Sequence, residues 1–179
     1  TMIAVLGSKI DEIKDFINSV NVQGVCEIAN DNAEGQIILS GDLEKMNNLK
    51  DILKENKKKF IPLNVSAPFH CSLMKPAALK MKDKINLVKF QKPNFDIVSN
   101  VTSIPEKDPE SIKKLLVDQI CSTVRWRESI INMNKENITD FIEIGPGKVL
   151  SGMVKRTVKN INCFSINSIN DMKKTINEL

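Results

Sequence analysis

The sequence predicts an α/β protein: a small strand-helix-strand-strand-helix-strand unit over residues 1–65, followed over 66–179 by helices and strands in alternation. Two observations carry this. Apolar residues recur at helical spacing in several stretches, and short β-rich runs bounded by Gly, Asn, Asp and Pro separate them.

Residues 2–6 form a short apolar strand, Gly7 and Ser8 turn the chain, and Ile10, Ile13, Phe16, Ile17 and Val20 mark one helix face. Residues 25–29 and 36–40 read as strands joined through the turn-rich stretch 30–35. Asp42 is placed to cap a helix with the apolar face Leu43, Met46, Leu49, Ile52 and Leu53, and residues 59–65 close the unit as a strand. That order is the ferredoxin-like pattern. Beyond it, helices are expected at about 72–87, 110–121 and 126–135, around Val149, Met153, Val154 and Val158, and at 171–179. Strands are expected at 95–99, 140–144 and 163–166, and a polar turn at 105–109. Alternation of this kind predicts a parallel sheet with covering helices, in which Gly145-Pro146-Gly147 tightly ends a buried strand.

Composition narrows the function classes. With 41% hydrophobic residues in 179, the chain can bury a substantial core. No apolar run approaches the ~18 residues that span a bilayer, and no signal-peptide core is present, so no membrane partner is expected. Cys26, Cys71, Cys121 and Cys163 are scattered singly without metal-ligand spacing, so they read as reduced thiols and no metal site is expected. Lys and Arg number 26 against 22 Asp and Glu, a net +4, so an acidic partner must be met by a local patch.

His70 is the chain's one histidine, in the run Val65-Ser66-Ala67-Pro68-Phe69-His70-Cys71-Ser72-Leu73-Met74-Lys75-Pro76-Ala77. A lone histidine also reads as a packed or solvated side chain. Here Pro68 fixes an extended approach and Ser72 precedes a helical stretch, which places the imidazole at a strand-to-helix corner from which it can reach a cleft.

This run is similar to the active-histidine segment of malonyl-CoA:acyl carrier protein transacylases. Three further segments resemble the same family in the same order: Asn30 to Gly41, then Gln119 with Val124-Arg125-Trp126, then Glu143 to Gly152 with Lys155-Arg156. The family's Gly-His-Ser-Leu-Gly elbow, which carries its serine nucleophile, has no counterpart, because no Gly-x-Ser-x-Gly occurs in residues 1–179. The Gly-Gln-Gly oxyanion segment and the malonyl-binding arginine are likewise absent. The resemblance therefore implies the C-terminal portion of such an enzyme, with residues 1–65 a ferredoxin-like subdomain and 66–179 part of a larger α/β hydrolase-like acyltransferase domain. Alone, it is expected to be inactive and to need the missing N-terminal half as a partner.

The resemblance further implies malonyl-CoA as substrate, acyl carrier protein as partner and no cofactor beyond the carrier's phosphopantetheine. His70 is then the general base, since an imidazole titrating near ~6.5 can take a serine or thiol proton at physiological pH. Its second nitrogen would be held by the main-chain carbonyl at the position resembling Gln119, though Gln119 by itself also reads as a helix-surface glutamine. Phe69 goes with malonyl selection in related acyltransferases, or with ordinary packing. Ser66, Asn30, Asn32 and Gln36 match positions bordering the acyl pocket, while the asparagines equally suit a turn. Lys57-Lys58-Lys59 and Lys155-Arg156 form two basic clusters for docking the acidic carrier, or simply solvated faces. Family members work in the bacterial cytoplasm or the plastid stroma, and the bias toward Asn, Lys and Ile favours a plastid.

Other readings are weighed on residues. Cys71 is the rival nucleophile beside His70, but sequence neighbours point apart and catalytic Cys-His pairs come from separate segments. A nucleic-acid-binding sheet needs aromatics on its central strands. Residues 25–29 and 36–40 have none, and the chain lacks Tyr entirely, so no nucleic-acid partner is expected. A fragment that docks carrier protein without turning over is the third reading.

Overall fold

A computed structural model describes residues 1–178, which divide between two compact units, Thr1–Ser129 and the described residues from Ile130 on. In the first unit, β1 (Met2–Leu6) buries Ile3 and Val5 on one face and Met2 and Ala4 on the other, as only an interior strand does. α1 (Ile10–Ser19), β2 (Cys26–Ala33), β3 (Gln36–Gly41), α2 (Leu43–Glu55) and β4 (Lys59–Pro62) follow. The strands lie in the order β2-β3-β1-β4, every neighbour antiparallel. Ile13, Met46, Leu49 and Leu53 from the two helices join Ile3, Val5, Ile37 and Leu39 of the sheet in one buried cluster, while Ala29 and Ile38 meet Met2 and Ala4 on the opposite face.

α2 starts where a cap dictates. Asp42 Oδ1 accepts the Lys45 amide at 3.1 Å and Oδ2 accepts the Val25 amide at 2.5 Å. Those two backbone bonds hold the Asp42 carboxyl below the ordinary aspartate range. Asp42→Ala is expected to lower stability in urea denaturation by about 1–2 kcal/mol at pH 7. Because the folded carboxyl titrates low, its contribution is complete above the unfolded value, about 3.9, and is lost as pH falls through the folded one. The gap between parent and variant should therefore hold from pH 8 to 5 and shrink below about 4. A gap unchanged down to pH 2 would assign the effect to packing instead.

Several boundaries differ from the sequence expectation, each for a backbone reason. β2 runs on to Ala33 through register shifts between Ile28 and Asn30 and between Asp31 and Ala33, so Asn30 and Asn32 sit in a strand and the turn shrinks to Glu34-Gly35. Gly35 supplies the positive φ, +70°, that this tight reversal needs. β4 ends at Pro62, which cannot donate to a ladder. After a single 3₁₀ turn, Ser72–Met74, α3 (Lys75–Asn86) takes Pro76 into its first turn. β5 (Ile97–Val98) pairs antiparallel with β6 (Pro105–Glu106), a short ladder where a parallel strand and a polar turn were expected, and α4 (Pro109–Asp118) follows, capped by Asp108.

The first compact unit runs on to Ser129. The reason lies at β2, an edge strand whose outward backbone groups need partners. Thr123 and Val124 supply them: Thr123 Oγ1 donates to Ile28 O at 2.5 Å, Val124 N to Ala29 O at 2.8 Å, and Asp31 N donates to Val124 O at 2.9 Å. α5 (Trp126–Lys135) begins just after this bridge.

In the second unit, β7 (Asp140–Ile144) and β8 (Asn162–Ile166) form a parallel pair, with α6 (Val149–Thr157) between them in sequence and α7 (Ile169–Glu178) after them. β7 is not the buried strand expected, since Ile142 and Ile144 stand exposed: a two-stranded pair leaves surface that α6 and α7 do not cover. The turn after β7 uses positive φ at Gly145 and Gly147, and Glu143 caps α6 by accepting from Ser151 N at 2.8 Å and Ser151 Oγ at 2.6 Å. The Ser151 hydroxyl is the main reason the Glu143 carboxyl titrates low. Among the described residues, no helix is long and apolar enough to cross a membrane.

Candidate active site

His70 lies in the loop between β4 and the 3₁₀ turn, and this loop is tightly folded. Phe69 N donates to Ala67 O at 3.1 Å, Cys71 Sγ to Pro68 O at 3.1 Å, and Met74 N to Cys71 O at 3.0 Å. His70 itself adopts φ +58°, a left-handed conformation that a non-glycine residue keeps only when its surroundings impose it. Cys71 is fully buried with its thiol spent on Pro68, which removes it as a nucleophile open to substrate.

The half-buried imidazole meets the end of α4. Gln119 closes that helix, and its carbonyl is among those left without an intrahelical donor. His70 Nδ1 stands 2.8 Å from that oxygen. A carbonyl only accepts, so Nδ1 carries the hydrogen, and in the neutral ring Nε2 holds the lone pair. Chemically this is an oriented base.

Gln119 is itself held. Its Oε1 accepts from Asn100 Nδ2 at 3.2 Å, and Asn100 O accepts from Arg125 N at 2.9 Å. The Arg125 guanidinium spans Glu128, through Nε at 2.8 Å and Nη2 at 2.5 Å, and the carbonyls of Val101 and Thr102. Next to it, Arg127 makes a two-pronged contact with Asp31, Nε to Oδ1 at 2.9 Å and Nη2 to Oδ2 at 2.7 Å. Asp31 is buried, and its hydrogen bonds to the Arg127 guanidinium raise the titration of Arg127 above the ordinary arginine value.

The fold thus brings His70 and Gln119 together across 49 residues of chain. Ser66 and Phe69 share the histidine loop, both exposed. Asn30 and Asn32 lie half-buried on β2, and Gln36 opens β3. Lys57, at φ +55° just past α2, and Lys59 on β4 are exposed, but Lys58 is engaged, its ammonium 2.5 Å from Glu12 Oε1. Lys155 and Arg156 are exposed on α6 in the second unit.

Three structural partners escaped the sequence reading. Asn100 and the Asp31–Arg127 pair offered no local signal beyond charge and polarity, since the ion pair joins residues 96 apart. Glu27 was also missed: on β2, it accepts from Ser72 N at 3.0 Å and Ser72 Oγ at 2.5 Å. Among the described residues, no cluster of His, Cys, Asp and Glu could hold a metal ion. Burial pushes the Cys26 thiol up to about 12, so it stays protonated at neutral pH.

Comparison with known proteins shows which enzymes the chain resembles. The chain is 37% identical over 180 residues to the malonyl CoA-acyl carrier protein transacylase of Bacillus subtilis (strain 168), and 36% identical over 175 residues to that of Staphylococcus aureus (strain COL). The chain is similar to these transacylases along almost its whole length. It spans 57% of the length of each of these transacylases, matching their C-terminal part, while 99% and 97% of the chain itself is covered. Solved transacylase folds agree. The acyl-carrier-protein-S-malonyltransferase of Bartonella henselae superposes with a TM-score of 0.94 at 35% identity, covering 99% of this chain and 57% of that one. A malonyl-transacylase solved in complex with a type II polyketide acyl-carrier protein superposes with a TM-score of 0.94 at 31% identity, covering 99% and 58%. No family model matches the chain.

Proposed function

We propose that this chain supplies the general base of malonyl transfer from coenzyme A to the phosphopantetheine thiol of an acyl carrier protein, with the nucleophilic serine on a segment outside residues 1–179. The observation that supports this most is the contact of His70 Nδ1 with the Gln119 carbonyl, which leaves Nε2 as proton acceptor. In the first half-reaction, Nε2 takes the serine proton as the hydroxyl attacks the malonyl thioester, and returns it to the departing coenzyme A thiolate. In the second, Nε2 takes the proton of the carrier's thiol as that sulfur attacks the serine ester, and the serine oxygen recovers it. No metal or redox group enters either step. The direct test is transfer of labelled malonyl from coenzyme A by the enzyme that carries this chain. Label should accumulate on the holo carrier and not on the carrier lacking phosphopantetheine, and a holo carrier left unlabelled would sink the reading.

Two positions refine it. Phe69 is 38% exposed, so its ring does not fill the core and stands free to shape a pocket wall with Ser66, Asn30, Asn32 and Gln36. One methyl group in an apolar pocket is worth roughly 10- to 200-fold in selectivity. Phe69→Ser is expected to raise the methylmalonyl-to-malonyl rate ratio about tenfold, and a variant that loses stability at an unchanged ratio would return the ring to packing.

Docking of the acidic carrier is assigned to two basic clusters taken separately, Lys57 with Lys59 and Lys155 with Arg156. Lys58 is set aside because reversing it would oppose Glu12. Changing the other four to Glu should raise the carrier KM on the order of tenfold and flatten its salt dependence, with the malonyl-CoA half-reaction nearly unchanged. Equal losses in both half-reactions would point instead to coenzyme A contacts or misfolding.

A further inference from the structure

We infer that Glu27 is a positioning residue that fixes the His70 imidazole against the Gln119 carbonyl, acting through Ser72. The inference builds on the proposed role of His70 but is tested independently of it.

Three observations carry it. First, His70 holds φ +58°, an uncommon conformation for a non-glycine residue, which contacts around the loop must support. Second, both oxygens of one carboxylate are occupied two residues further on: Glu27 Oε2 accepts from Ser72 N at 3.0 Å, and Oε1 from Ser72 Oγ at 2.5 Å. Charged acceptors make the stronger hydrogen bonds, and a two-point contact fixes direction as well as distance. Third, the other half of the pair hangs on the same strand. Downstream of Gln119, Thr123 Oγ1 bonds Ile28 O, Val124 N bonds Ala29 O, and Arg127 grips Asp31. Three consecutive residues of β2, Glu27, Ile28 and Ala29, and Asp31 beyond them therefore hold one partner or the other. Glu27 carries the histidine loop, and Ile28, Ala29 and Asp31 carry the segment that follows Gln119. A displacement of Ser72 relative to β2 is then a displacement of His70 relative to the oxygen that orients it.

The test exploits the single histidine, whose imidazole gives one unambiguous set of NMR signals. In the 15N-labelled chain, long-range imidazole proton–nitrogen correlations should show the Nδ1–H tautomer. Glu27→Ala should shift the ring to the tautomer mixture of an unheld imidazole while the backbone amide spectrum stays dispersed. Glu27→Gln keeps one acceptor oxygen and Ser72→Ala keeps the amide donor, so both should fall between parent and Glu27→Ala. In the malonyl-transfer assay of the enzyme that carries this chain, Glu27→Ala should lower kcat about 10- to 100-fold, the scale expected of misplaced catalytic groups, with the malonyl-CoA KM near parental. A parental tautomer in a folded Glu27→Ala would overturn the inference. Should that variant not fold, parental tautomers in both Glu27→Gln and Ser72→Ala would overturn it equally. If the tautomer shifts but His70→Ala leaves turnover intact, Glu27 keeps its positioning role and the proposed function is what fails.

Discussion

His70→Ala, introduced into the enzyme that carries this chain, is expected to lower malonyl turnover by about 10² to 10⁴-fold, the range for losing a general base. Both half-reactions should suffer, because the same Nε2 is assigned the serine proton in the first and the carrier thiol proton in the second. The malonyl-CoA KM should change little, since the proposal gives the imidazole protons to move and no part of the substrate to bind. Stability is expected to stay near parental: His70 sits in a half-buried loop, and its one described hydrogen bond ends on a carbonyl at a helix terminus, where water can replace it. Single-turnover kinetics with malonyl-CoA, followed by transfer to the holo carrier, separate the two steps. Turnover within a few-fold of the parent would reduce His70 to a loop-shaping residue.

The second large effect concerns the chain by itself. Residues 1–179 contain no Gly-x-Ser-x-Gly, and the one cysteine beside the base, Cys71, is buried and donates its thiol hydrogen to Pro68 O. With a base but no serine elbow to pair with it, malonyl transfer by these residues alone is expected not to rise above the uncatalysed rate. Adding a polypeptide that carries the serine elbow and oxyanion segment of the same family should restore it, because an oriented base and a strained serine are complementary halves of one site. Intact-mass measurement after incubation with malonyl-CoA is the cleanest readout, with the malonyl adduct on the added segment. An adduct on residues 1–179 without the added segment would reverse the conclusion and bring Cys71 back as the nucleophile.

Much of the fold was legible because it is written locally. The apolar spacing of Ile10, Ile13 and Ile17 and the Asp42 cap of α2 act within a few residues of themselves, and α1, α2 and β1 appear where those signals place them. Signals failed where the deciding partner was remote. Residues 30–35 carry turn-forming side chains, yet β2 continues to Ala33 in register with β3, and Val124 meets its outer edge at Asn30. The lysine run at 57–59 looked uniform, yet Glu12 claims the middle one.

By itself, the sequence determined the α/β class, the helices and the Asp42 cap, the family resemblance, and the loop that holds the lone histidine, all through propensity and motif over short stretches. The tertiary structure alone decided which oxygen orients the ring. Each of the 179 residues has a carbonyl, and choosing one requires knowing which helix ends unsatisfied near the imidazole. It decided too that Glu27, unmarked in the sequence, clamps Ser72 across 45 residues, and that Asp31 is neutralised by Arg127 across 96. Backbone groups and charges left unpaired by local structure find partners only when the chain closes on itself, so these contacts follow from the geometry of the packed edge of β2 and not from any neighbouring residue.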